Sequence, residues 1–256
     1  MNRFLLVALP LCLVCAACGS DVLEDTIEKD VPLPPTGTLS LQAIDGSVEI
    51  YGAETNEIQI VATRRAFSPE RLNSMRVEVR RAGDAVTIAT VGPSKPRWAL
   101  TDHSGTIDYV INVPQRARLA SVTVPNGELI IHGMRGAAIH ASLGNGRLTA
   151  HNCFCDQQLR VQKGGLDLYF DWVEQQPIKI DAAVVNGNVR AIIPGDASFE
   201  LHAASAHGKV TSDFSEMAQR KRGGLREINE VIGPAALSRV TLRASDGNIQ
   251  ISQLNW

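Results

Sequence analysis

Asn126-Gly127-Glu128-Leu129-Ile130-Ile131 and, 19 residues on, Asn145-Gly146-Arg147-Leu148-Thr149-Ala150 are the stretches that decide how this chain folds. The phrase is Asn or Asp, Gly, any residue, an aliphatic, usually a polar residue, then a small or aliphatic one. It returns as Asp45-Gly46-Ser47-Val48-Glu49-Ile50, Asn186-Gly187-Asn188-Val189-Arg190-Ala191, His207-Gly208-Lys209-Val210-Thr211-Ser212 and Asp246-Gly247-Asn248-Ile249-Gln250-Ile251. Lys163-Gly164-Gly165-Leu166-Asp167-Leu168 is a degenerate copy, and Ser104-Gly105-Thr106-Ile107 a weaker one. From Gly127 the glycines step by 19, 18, 23 and 21 residues to Gly208, and then by 39, about two periods, to Gly247. A fixed period near twenty marks a stacked array, in which each unit needs its neighbours to bury its apolar face.

The columns agree. Two residues after the Gly stand Val48, Leu129, Leu148, Leu166, Val189, Val210 and Ile249, and the next column is mostly polar: Glu49, Thr149, Asp167, Arg190, Thr211 and Gln250, with Ile130 the exception. Alternation of this kind is strand geometry, one face dry and the other wet. A second alternating run precedes each Gly, for example Ile139, Ala141, Leu143 or Ile180, Ala182, Val184. Each unit is therefore expected to be strand, Asn-Gly turn, strand. Asn-Gly between alternating runs is also the strongest hairpin signal, so antiparallel hairpins of a sandwich remain open alongside parallel rungs of a solenoid. Conserved columns favour the solenoid, because rungs stack about 4.8 Å apart and each residue sits on its equivalent.

The chain has 256 residues, 44% hydrophobic and 20% charged, enough for one sizeable core. The formal charge is −2, and there is no basic excess to hold nucleic acid. Arg3 followed by the apolar run Phe4 to Val14 reads as an export leader, too short to span a bilayer as a helix. It ends in Cys15-Ala16-Ala17-Cys18-Gly19-Ser20. Small residues before a Cys there resemble a bacterial lipobox. That resemblance implies a signal peptide over 1–17, a lipid on Cys18 and, with Gly19 next, attachment to the outer membrane. Residues 18–36, acidic and ending in Pro32-Leu33-Pro34-Pro35, read as an extended tether. The folded domain is then 37–256. Within it, 66–115 is expected to be a non-periodic sheet capping the first rungs, 118–212 and 239–252 the rungs, and 213–236 an insertion with a short helix near Ser215 to Arg220. The last rung closes the fold and leaves an edge that a second copy could pair with, so the oligomeric state stays open.

Chemistry is sparse. His132 and His151 share a column and would stack, but Tyr51, Tyr169, Ile192, Asp213 and Ser252 occupy that column elsewhere, so a metal pair is not sustained. Asp167, Asp171 and Glu174, with Asp181 further on, are the acids to inspect for glycoside hydrolysis, which needs a pair flanking a cleft. Cys153-Phe154-Cys155 has His151 and Asp156 beside it as possible metal partners; loop thiols are the plainer reading. No catalytic, cofactor-binding or metal residue is nominated, and Cys18 is the single assigned site.

The Asn126-Gly127, Asn145-Gly146, Asn186-Gly187 and Asp246-Gly247 phrases, Tyr109-Val110-Ile111-Asn112-Val113-Pro114 and Ile192-Ile193-Pro194 together resemble a bacterial adhesin-like family of exported β-solenoid proteins of unknown function, over about residues 38–252. The resemblance implies an all-β, single-chain parallel β-helix with rungs of about twenty residues and no catalytic set. The expected role is a non-enzymatic envelope lipoprotein that binds a protein or glycan through its polar face. An envelope-stress or signalling accessory working through 213–236 is the alternative, and a carbohydrate-active enzyme a third.

Overall fold

The structure, a computed structural model, describes residues 22–92, 105–214, 220–222, 225–234 and 236–254. The leader, Cys18, Trp256 and most of the expected helix at 215–220 lie outside them. The described chain is all-β but for one helical turn and a half. Its elements are β1 (Leu23–Pro32), β2 (Thr38–Gln42), β3 (Gly46–Ala53), β4 (Glu57–Ala66), α1 (Pro69–Ser74), β5 (Arg76–Ala82), β6 (Ala85–Val91), β7 (Thr106–Pro114), β8 (Arg118–His132) and β9 (Ala138–His151). There follow β10 (Asp156–Tyr169), β11 (Lys179–Pro194), β12 (Phe199–His207), β13 (Val210–Ser212), β14 (Arg220–Arg222), β15 (Leu225–Ile232), β16 (Ser238–Asp246) and β17 (Ile249–Leu254). All strands join one open sheet.

The Asn-Gly phrase is not a turn. β8 to β11 run straight through it as single strands, bent at the Gly. Their partners are parallel and in register: Gly127 opposite Gly146, Gly146 opposite Gly164, Gly164 opposite Gly187. This excludes the hairpin reading. The column must be glycine for two reasons. Gly146 has φ +132, which side chains strongly disfavour, and a Cβ there would lie 1.8 Å from the Gly127 carbonyl oxygen. The bend divides every layer into two arms. Along β9 the buried residues are Ile139, Ala141 and Leu143 before it and Leu148 and Ala150 after it. Both sets belong to one core between the arms.

Layer order departs from chain order. The parallel stack runs β6–β7, β2–β3, β8, β9, β10, β11, β16–β17, β12–β13. Gly187 therefore faces Gly247, and the 21-residue step to Gly208 is not a step between adjacent layers. The last rung does not close the fold; it lies inside, paired with β11 on one side and with β12–β13 on the other. At the other end, β6 and β7 add a parallel layer below the first copy, where a conventional sheet was expected. The weak copy at 104–107 is out of register, since the carbonyl of Ile107, not of Gly105, lies under Gly46.

The ends are covered by antiparallel strands. β5 covers β6, β4 covers β7 and β1 covers β4, while β15 covers β12 with β14 on its far side. Unpaired edges are templates for aggregation, and blocking them is how open sheets stay soluble. Two expectations are corrected here. Leu23–Pro32 is no tether: its alternating residues pair along the whole of β4, and Leu33 is fully buried. The described part of 213–236 is mainly the β14–β15 edge cover; Arg220 itself is in a strand, not a helix.

The third side is closed by the returns between layers. Met134, Cys153, Phe154, Cys155, Phe170 and Ala197 are buried there within the common core. Cys153-Phe154-Cys155 is thus a loop between β9 and β10, as expected, and a buried one.

Candidate functional site

The polar column after the bend forms a real ladder, in the order Glu49, Ile130, Thr149, Asp167, Arg190, Gln250, Thr211. At its centre Asp167, 7% exposed, receives two guanidinium groups. Arg147 Nη1 donates to Oδ2 at 2.5 Å from the layer below, and Arg190 Nε to Oδ1 at 3.3 Å from the layer above. Burying that carboxylate is affordable only because it is paired and hydrogen-bonded. Both arginines keep about half of their side-chain surface, 55% and 45%, in water.

Arg147 reaches Asp167 across Gly165. In the neighbouring layers the position of Gly165 carries Glu128, Arg147, Asn188 and Asn248. The missing side chain opens a groove of about 940 Å³ along the outside of the bend, over five layers from Glu128 to Asn248 and Gln250. Amide ladders fix the polarity of its wall. Asn188 Oδ1 accepts the backbone N–H of Asn248 at 2.9 Å, and Asn248 Oδ1 accepts that of Lys209 at 2.9 Å. Asn248 Nδ2 also donates to Asn188 Oδ1 at 3.3 Å, which fills both acceptor positions of Asn188 and leaves its Nδ2 as the donor of that wall.

A second ladder lies where the far arm ends. Tyr51, His132, His151 and Tyr169 stack in successive layers, with ring centroids 6.0, 4.7 and 5.7 Å apart. The column that looked unsustained in sequence is a continuous aromatic run, because Tyr51 and Tyr169 flank the histidines in space. His151 Nε2 meets Asp171 Oδ2 at 2.7 Å. Asn152 donates to the same oxygen at 2.8 Å and accepts the Asp171 backbone N–H at 2.9 Å. The Asn152 bond, then that of His151, holds the Asp171 carboxyl below its ordinary range. Desolvation, reinforced by His151, pushes the His132 imidazole down.

The four acids singled out in sequence do not form a catalytic pair; each has its own basic partner. Asp167 holds Arg147 and Arg190, Asp171 meets His151, Glu174 takes Arg135 at 2.7 Å, and Asp181 takes Arg160 at 2.7 Å and Arg243 at 2.5 Å. Nor do His151, Cys153, Cys155 and Asp156 converge. His151 faces Asp171, while Cys153 Sγ donates to the Ile131 carbonyl at 3.4 Å. Burial pushes the Cys153 thiol up to about 12 and the Cys155 thiol further still. Among the described residues no three His, Cys, Asp or Glu side chains are set to hold a metal ion. None of their helices is long and apolar enough to cross a membrane. The polar column itself was legible in sequence. The Gly165 gap was missed, although its signal, a second Gly in one copy only, stands in Lys163-Gly164-Gly165.

No curated protein matches the chain. Among solved structures it is similar to a candidate cell adhesion protein from Clostridium sporogenes ATCC 15579, with 15% identity and a TM-score of 0.51, over 90% of this chain and 100% of that one. A candidate adhesin from Bacteroides fragilis NCTC 9343 is more distant, with 9% identity and a TM-score of 0.32 over 89% and 97%. The first likeness is one of fold. The model of the Toastrack family of unknown function, DUF4097, matches residues 29–252, and the chain belongs to that family.

Proposed function

We propose that this protein is a non-enzymatic binding module of the bacterial cell envelope, a lipoprotein attached at Cys18 to the outer membrane. In this reading its layers are the rungs of a single-chain parallel β-solenoid, about 20 residues each, and their outer bend is the binding surface. The observation that carries the reading is the groove over Gly165: it is preformed, polar and continuous across five layers. Asp167, Asp171, Glu174 and Asp181 are each engaged by a basic side chain, which suits a surface for recognition rather than proton transfer. The adhesion role in the description of the Clostridium sporogenes protein suits a module of this kind.

Envelope crosslinking tests the reading. A photo-crosslinkable residue at Gln250 should capture a component of intact envelopes, and Gly165→Phe should abolish capture by filling the groove. A Cβ at Gly165 meets nothing nearer than Arg147 Cζ at 3.8 Å, so this variant should fold. Capture that Gly165→Phe leaves unchanged would count against the groove. Capture by Cys18→Ala protein at wild-type level would count against the anchor.

A further inference from the structure

We infer that the groove recognises an acidic polysaccharide, a chain of sugar units bearing carboxylate or sulfate groups. The inference rests on the groove being the binding surface and adds the class of ligand. Its upper half, from Gly165 through Asn188, Val189 and Arg190 to Asn248, contains no acid other than Asp167, which is 7% exposed and fully engaged. Arg190 commits its Nε to Asp167 at 3.3 Å and keeps 45% of its side-chain surface in water, so its two terminal nitrogens are not spent on that carboxylate. Arg147 is held the same way from two layers below through Nη1. The lining holds two arginines and two acids, Asp167 and, in the layer below Arg147, Glu128; what it offers an anion is the fork-shaped guanidinium donors, suited to the paired oxygens of a carboxylate or sulfate.

The amides complete the argument. Asn188 Oδ1 accepts both the backbone N–H of Asn248 and, at 3.3 Å, its side-chain Nδ2, so the amide that Asn188 keeps for the groove is its own Nδ2 donor, beside the arginine donors. A neutral sugar, which needs acceptors for its hydroxyl protons as much as donors, is served badly; an acidic one is served well. Length points to a polymer. The groove crosses five layers at about 4.8 Å each, and one layer is comparable to one pyranose ring. A peptide is disfavoured because its alternate side chains need pockets, and Val189 is the single apolar side chain in the lining.

The test is titration of the purified domain with two matched pairs, oligogalacturonate against its methyl ester and dextran sulfate against dextran. The charged member of at least one pair should bind at least about tenfold more tightly than its neutral partner. That binding should weaken with salt, fall about tenfold in Arg190→Gln and vanish in Gly165→Phe. Equal affinity for charged and neutral members would overturn the acid specificity while leaving the groove as a glycan site. Binding to neither acidic probe, with a protein captured from envelopes in a Gly165→Phe-sensitive manner, would overturn the ligand class and leave the binding reading standing. Acidic binding that Gly165→Phe does not touch would sink both.

Discussion

Gly164 and Gly165 are neighbours in sequence, and a methyl group added to each should have opposite consequences. At Gly164 φ is +131, and the new Cβ would sit 1.9 Å from the carbonyl oxygen of Gly146 and 2.9 Å from its carbon. Neither atom can yield, because each belongs to the ladder that joins β9 to β10. Two costs combine: a side chain in a region of backbone space reserved for glycine, about 1–3 kcal/mol, and displacement of one layer from the next. Together they put Gly164→Ala at about 3–5 kcal/mol. In a domain of this size each kcal/mol lowers Tm by roughly 2–4 °C, so the fall should be about 10 °C. At Gly165 the Cβ meets only the end of Arg147 at 3.8 Å, an ordinary contact. Replacing Gly by Ala also narrows the unfolded ensemble, so Gly165→Ala should lie within about 1 kcal/mol of wild type, on either side. Thermal melts followed by far-UV circular dichroism compare the three proteins. If Gly164→Ala melts within a few degrees of Gly165→Ala, the stacked-glycine account of the bend is wrong.

Four further expectations follow from the layers. His132 is held below its ordinary pKa by desolvation and by His151, so the unfolded chain takes up that proton first. Stability is therefore complete above the unfolded value near 6.5 and is lost as pH falls below it, and a Tm series from pH 8 to 5 should be flatter for His132→Gln than for wild type. Cys153 and Cys155 should ignore a thiol reagent in the native protein and both react in denaturant; reaction under native conditions would contradict their burial. Asp167→Asn removes the charge shared by two arginines, which can swing into water, so it should cost only about 1–2 kcal/mol in a urea titration. Removing the β14–β15 hairpin should expose the edge of β12 and cause concentration-dependent association by light scattering, with a monomer at every concentration as the refuting result.

What could be read from the sequence was set by periodicity. Strand alternation places Leu129, Leu148, Leu166 and Val189 in one buried column, and the structure buries all four. The polar column from Glu49 to Thr211 was legible for the same reason. What escaped was whatever depends on contacts between units. Asn-Gly reads as a turn because an isolated chain offers φ > 0 there as a reversal; only neighbouring layers, by pairing the backbone on both sides, turn it into a bend in a continuous strand. Leu23–Pro32 reads as a tether because Glu24, Asp25, Glu28 and Asp30 make it acidic. Its order comes from β4, where Arg64 and Arg65 meet Asp25 and Glu24. Tyr51 and Tyr169 were legible in the column of His132 and His151; the layer order that sets Tyr51 beside His132, across 81 residues of chain, was not.

Layer order is the deepest of these failures, and it has a physical cause. The repeat makes each layer present the same surface to its neighbours: glycine on glycine at the bend, aliphatic on aliphatic inside. Interfaces so alike differ little in energy, so the columns fix the register within the stack but barely distinguish one order from another. The order must be set by what is not repeated. Four residues, 195–198, link β11 to β12, yet β12 lies two layers away. The slot between them is filled only when the chain returns through β14 and β15 with β16–β17. The hairpin then has two tasks, covering the edge of β12 and returning the chain to the slot. It follows that the segment from Ser238 onward is not a dispensable end. Without it β11 and β12–β13 face each other across a missing layer, with unpaired edges on both sides. The groove would lose Asn248 and Gln250 in the same stroke. The non-repeating features of this chain (the hairpin, the second glycine at 165, the late rung) are what turn an otherwise uniform stack into a molecule with defined ends and one distinctive face.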